Sequence, residues 1–132
     1  YRDVLDMVKE VDEENLKVCL DAPILTRQDD DYVAKAVRET GKLMVHSHIG
    51  DYRLTEGADI TIHPVGFMPV APGDGLVNYR VFIKTLKEIG YRGFLSYEQC
   101  SPIIVGHQIA DIAQVDEYAK KCVENMRKLI VR

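Results

Sequence analysis

Three side chains able to bind a divalent cation each stand at the end of a short apolar segment. Asp21 follows LKVCL (16–20), His48 closes KLMVHSH (42–48), and Glu98 follows GFLSY (93–97). Carboxylate, imidazole and carboxylate make a mixed oxygen and nitrogen set. Such a set suits Mn²⁺, Co²⁺, Fe²⁺ or Zn²⁺ rather than an ion that demands thiolates. Singly, each residue has an ordinary explanation: Asp21 as a turn acid before Pro23, His48 as a hydrogen-bonded core histidine, Glu98 as a loop carboxylate. Their recurrence at three equivalent positions points to a metal centre, because burying two unpaired carboxylates is costly. His46 lies two residues before His48, and side chains two apart on a strand face the same side. It therefore points into the same interior, where it supports His48 or touches a substrate. Asp51 and Arg53 follow closely and either hold a substrate hydroxyl or form a solvated loop pair. His107, after Glu98, reaches the pocket or is solvated.

The elements that must position these groups follow from periodicity. Residues 1–11 place Val4, Leu5, Val8 and Val11 at helical spacing, with no visible cap. That uncapped start, on tyrosine, predicts a chain that begins mid-fold. LKVCL reads as a buried strand ending at Asp21. A helix is predicted from about Asp29 to Glu39, with acids in its first turn and Gly41 past its end. KLMVHSH is the next strand. Residues 50–75 hold five glycines and three prolines, too many for a regular element, and are read as a long functional loop. A helix over 78–89 ends before Gly90, and GFLSY forms the third strand. The last helix runs from about Ala113 to Leu129 and is expected to bury Val115, Ala119, Cys122, Val123, Met126 and Leu129. Apolar strands alternating with amphipathic helices argue for an α/β fold with a parallel sheet. In such folds reactive groups gather at the carboxyl ends of the strands.

Composition narrows the function classes. The 132 residues are 46% apolar and 29% charged with a net charge of −4, as in a globular domain with a real core. The Lys and Arg residues are dispersed, which argues against nucleic acid as a partner. No run approaches the roughly 20 apolar residues of a membrane span. The cytoplasm is the expected compartment. Cys19, Cys100 and Cys122 lie far apart without a CxxC pair and are read as free thiols. No GxGxxG or P-loop sequence supports a nucleotide site.

In order along the chain, VCLDAP (18–23), VHSHIGDYR (45–53), PGDG (72–75) and FIKTLKEIGYRGFLSYE (82–98) resemble the sixth, seventh and eighth strand regions of the xylose isomerase-like sugar isomerase and epimerase superfamily. The resemblance covers essentially the whole chain. It implies that residues 1–132 are the C-terminal half of a (β/α)8 TIM barrel, from helix 5 to helix 8. It also implies a divalent metal, most often Mn²⁺ with Co²⁺, Mg²⁺ or Zn²⁺ as further candidates, held by Asp21, His48 and Glu98. Glu98 would double as catalytic acid or base, moving a proton beside the carbonyl of a sugar or keto-sugar. Arg53, His46 and His107 would be the substrate-binding residues.

Three departures from the family pattern bear on function. A histidine commonly stands three residues after the metal aspartate, and here that position is Ile24. The loop carrying ITIHPVGFMP, with His63, Phe67 and Met68, is enlarged and partly apolar. It suits a bulkier substrate such as an aryl or oxidised glycoside, so a lyase subunit cleaving C-glycosides after sugar oxidation is the alternative activity. Finally, a TIM barrel needs eight strands and typically about 250 residues, whereas this chain supplies three strands. The expected partner is the N-terminal half of the barrel, in the same parent chain or a second polypeptide, with an oligomer as the assembled form. A non-catalytic assembly subunit, or a small flavodoxin-like domain without metal, are the readings from other classes.

Overall fold

Apolar spacing and local caps account for the helices. Arg2–Val11 (α1) turns Leu5 and Val8 inward and has no capping side chain at its start. Asp29 caps Asp30–Thr40 (α2): its Oδ1 accepts the Tyr32 N–H at 3.0 Å. Asp30 and Asp31 fill the first turn, where negative charge complements the helix dipole. Asn78 caps Tyr79–Glu88 (α3) by accepting from the Val81 N–H at 3.2 Å. Ile112–Val131 forms α4. The computed structural model describes residues 1–59, 61 and 66–131.

The described strands are Val18–Cys19 (β1), Met44–Ile49 (β2), Asp51–Leu54 (β3), Phe67–Val70 (β4), Phe94–Tyr97 (β5), Ile104–Val105 (β6) and Gln108–Ile109 (β7). β1, β2 and β5 pair in that order, all parallel. Helix α2 connects β1 to β2, and α3 lies between β2 and β5 in the chain, giving the expected α/β alternation. Val33, Ala36 and Val37 of α2 join Tyr79, Phe82, Ile83 and Leu86 of α3, Val18, Leu20 and Ile49 in one core cluster. Full burial of a phenylalanine such as Phe82 contributes roughly 1.5–3 kcal/mol.

Register sets what shares a face. Cys19 stands opposite His46, His46 opposite Phe94, and His48 opposite Ser96. Because side chains alternate, these form successive rows on one side of the sheet. That side lacks a helical cover among the described residues, and Phe94 is 79% exposed. No helix of the described residues is long and apolar enough to cross a membrane.

Four sequence expectations need correction. The segment 50–75 is not all loop: β3 and β4 pair antiparallel, Asp51 to Val70 through Leu54 to Phe67. Averaging over the segment hid two four-residue strands, because glycines 57, 66 and 73 sit outside them. Likewise the segment after Glu98 folds into the β6–β7 hairpin around Gly106 and His107. Gly106 has φ +64° there, as the first central position of a tight hairpin turn requires. The strand expected at 16–20 is regular only at Val18–Cys19, where the register shifts, although Leu20 still donates to the His46 carbonyl at 3.2 Å. Finally, α4 buries only Cys122 and Met126 of the six side chains expected. Those two are one helical turn apart and form a narrow stripe, leaving Val115 and Val123 exposed.

Candidate metal centre

After β1 the chain turns through a 3-10 segment at Ala22–Ile24, with Asp21 as its first capping residue. Asp21 Oδ1 accepts the backbone N–H of His48 at 2.7 Å, and Oδ2 lies 3.1 Å from His48 Nδ1. One carboxylate thus ties the end of β1 to the end of β2 and aims the imidazole. On the other flank, the Glu98 N–H donates to the Ile49 carbonyl at 3.0 Å, prolonging the β5 ladder. Glu98 Oε2 lies 3.9 Å from His48 Nδ1. Asp21 and Glu98 thus flank the His48 imidazole from the two neighbouring strands, Asp21 close and Glu98 farther off, with Glu98 the most open at 49% side-chain exposure against 18% for Asp21. The hydrogen bond to Asp21, reinforced by the charges of Asp21 and Glu98, raises the His48 pKa above the usual histidine value.

Cys19 joins this cluster, although the sequence reading gave the cysteines no role at the site. Its thiol donates to Asp21 Oδ1 at 3.2 Å, and Sγ lies 3.7 Å from His48 Nδ1. Donor atoms of Cys19, Asp21 and His48 all fall within 4.8 Å of one another. Burial first, then the Asp21 carboxylate, push the Cys19 thiol up to about 11, so without a cation it stays protonated at neutral pH. The signal was available: Cys19 precedes Asp21 by two, the spacing that pairs His46 with His48. All three cysteines are free.

Beside the cluster lies a cavity of about 160 Å³. Asp21, His48 and Glu98 form its polar end, and Ile24, Tyr52, Phe67 and Pro69 supply apolar wall. Phe67 of β4 stacks on Tyr52 of β3 with ring centroids 4.2 Å apart. The enlarged loop thus reaches the site through its hairpin, while Met68 is half-exposed and His63 lies outside the described residues. Ile24 occupies the position three after Asp21 and offers the cavity no polar group.

The three residues expected to contact substrate are placed differently. The His46 ring meets that of His48 edge-on, with centroids 5.0 Å apart. Arg53 donates from Nε and Nη2 to the Asp74 carbonyl, at 3.2 and 3.0 Å. His107 sits exposed between β6 and β7. None of the three lines the cavity beside the cluster.

Asp51 fits neither alternative read from the sequence. It is buried, and its carboxylate accepts the N–H groups of Tyr52, Gly73, Gly75 and Val77 at 2.8 to 3.0 Å. This carboxylate organises the PGDG turn, leaving no pair with Arg53. Burial pushes its pKa up against the pull of those four donors. Gly75 must be glycine here, since a Cβ would collide with Asp51 Oδ1 and the Tyr52 carbonyl. On the far side of the same strand end, the Tyr79 hydroxyl accepts the Gly50 N–H at 3.0 Å and donates to the Gly50 carbonyl. The backbone just after His48 is therefore held from α3.

Comparison with known proteins matches residues 1–129 to a family described as the xylose isomerase-like TIM barrel. Among curated proteins no sequence matches the chain. A xylose isomerase domain protein from Planctomyces limnophilus is 22% identical with a TM-score of 0.67, covering 97% of this chain and 42% of that one. One from Alicyclobacillus acidocaldarius is 23% identical with a TM-score of 0.66, covering 98% and 42%. A D-psicose 3-epimerase, solved in the presence of D-fructose, is 25% identical with a TM-score of 0.64, covering 95% and 42%. The chain thus spans about two fifths of the length of these structures.

Proposed function

The chain belongs to the xylose isomerase-like TIM barrel family, and from that premise we propose that it supplies the metal-binding strand ends of a sugar isomerase or epimerase. The observation that carries this reading is the convergence of Asp21, His48 and Glu98 at the ends of three adjacent parallel strands. Two carboxylates around an imidazole nitrogen fit a divalent cation, and the oxygen and nitrogen donors accommodate Mn²⁺. When bound, the cation supplies Lewis-acid polarisation of substrate oxygens.

The remaining chemistry belongs to the protein's own groups. Glu98, the more open carboxylate, takes and returns the proton beside the substrate carbonyl through the oxygen turned away from His48. Asp21 Oδ1 accepts the His48 backbone N–H and so fixes the strand end that carries the imidazole, and His46 buttresses the same ring. Arg53 reaches a substrate hydroxyl by releasing the Asp74 carbonyl, and His107 contacts substrate from the β6–β7 turn. Tyr52, Phe67 and Pro69 keep water from one wall. The similarity to a D-psicose 3-epimerase favours a ketose-type substrate. The stacked Phe67 and Tyr52 rings favour a second activity, a lyase acting on an aryl-bearing oxidised glycoside. The other strands of the barrel come from the same parent chain or a second polypeptide, in an oligomeric assembly.

Equilibrium dialysis against Mn²⁺ tests this reading. The protein should bind one ion per chain, and His48→Ala should lose it without change in circular dichroism. Undiminished binding in His48→Ala would remove the proposed site.

A further inference from the structure

The proton transfer proposed above makes no use of Cys19, although its sulfur lies inside the donor cluster. In a tetrahedral zinc site with bonds of about 2.3 Å to sulfur and about 2.05 Å to nitrogen, the sulfur–nitrogen edge is about 3.6 Å and the nitrogen–oxygen edge about 3.4 Å. Here Sγ lies 3.7 Å from His48 Nδ1, and Asp21 Oδ2 lies 3.1 Å from it. Both separations are already close to those of a closed coordination shell. Backbone geometry explains the coincidence: Asp21 stands two residues after Cys19, the last residue of β1, with its own backbone still extended, so both face the inner side where His48 projects from β2.

We infer that Cys19 is a ligand for thiophilic cations, so that Cys19, Asp21 and His48 hold Zn²⁺ or Co²⁺ while Glu98 remains free to carry a proton. This rests on the reading of Asp21 and His48 as metal ligands. Coordination releases the thiol proton to solvent. Mn²⁺ is harder, takes oxygen and nitrogen donors, and is indifferent to the sulfur. Cys19 thereby sets which ions compete for the site.

The test is Co²⁺ titration of the purified protein, wild type and Cys19→Ser, followed by absorption, with Zn²⁺ and Mn²⁺ affinities measured in parallel. The wild type should show a near-ultraviolet thiolate-to-cobalt charge-transfer band that Cys19→Ser lacks. The substitution should lower Zn²⁺ affinity by at least roughly tenfold and leave Mn²⁺ affinity within about twofold. Retained Mn²⁺ binding shows that the variant is folded, and the wild-type band decides the matter even where it is not. A wild-type Co²⁺ complex without the band, or equal Zn²⁺ affinity in both proteins, overturns the inference while leaving the Asp21 and His48 site standing. Failure of the wild type to bind any of the three ions overturns both.

Discussion

Along β2, Ser47 and Ile49 are buried, with Ile49 in the core beside Val33 and Phe82, whereas the alternating His48 keeps 38% of its side chain exposed. The neighbouring strands repeat the contrast: Val18 and Leu20 are buried, and Cys19 and Phe94 lie open. Over these residues a period of two divides the sheet into a face that contributes stability and a face that presents donor atoms, whereas at the start of β2 Met44 is buried and Val45 is exposed. Close packing on the first face makes it intolerant of volume change. Access and charge govern the second.

The largest effects should fall on the packed side. Phe82→Ala is expected to cost about 3–5 kcal/mol in urea unfolding of the 132-residue chain, through lost transfer energy and the cavity left behind. Phe94→Ser, a change of similar chemistry on the open side, should stay within about 0.5 kcal/mol. A comparable loss in both would break the comparison and mean that the inner face is covered. Asp51→Ala tests the boundary between the two regions. It leaves four backbone N–H groups without their acceptor, and a loss of roughly 3 kcal/mol is expected. A loss under about 0.5 kcal/mol would mean that the turn does not depend on this carboxylate.

A smaller effect should appear in the titration of the metal-free site. The His48 pKa is raised by the hydrogen bond to Asp21. Its stabilising pairing is therefore complete below the unfolded value of about 6.5 and is lost as pH rises through the folded value. Cation binding has the opposite sign, because it needs the neutral ring. Acidification should weaken Mn²⁺ binding from above pH 6.5 downward. NMR should place the His48 midpoint above the ordinary value, and Asp21→Asn should bring it back. A midpoint unmoved by Asp21→Asn would assign the shift to another group.

The alternation of strands and helices was legible because each element announces itself within about ten residues, through apolar spacing and caps such as Asp29 and Asn78. The β3–β4 hairpin was not, since its strands are four residues long and lie among glycines and prolines that dominate the composition. The inward face of α4 was overread: six apolar positions lie on a plausible stripe, but only Cys122 and Met126 find neighbours deep enough to bury them.

What the sequence by itself determined is the placement of Asp21, His48 and Glu98 at strand ends, because where a strand stops and which way its side chains alternate are local properties. Only the tertiary structure decided that Cys19 stands among those donors, that Arg53 is clamped on Asp74, and that Asp51 is an internal anchor. Those outcomes depend on register between strands and on which backbone N–H groups a buried carboxylate meets across more than twenty residues. No local pattern encodes such distances, because they arise only once the chain has closed on itself.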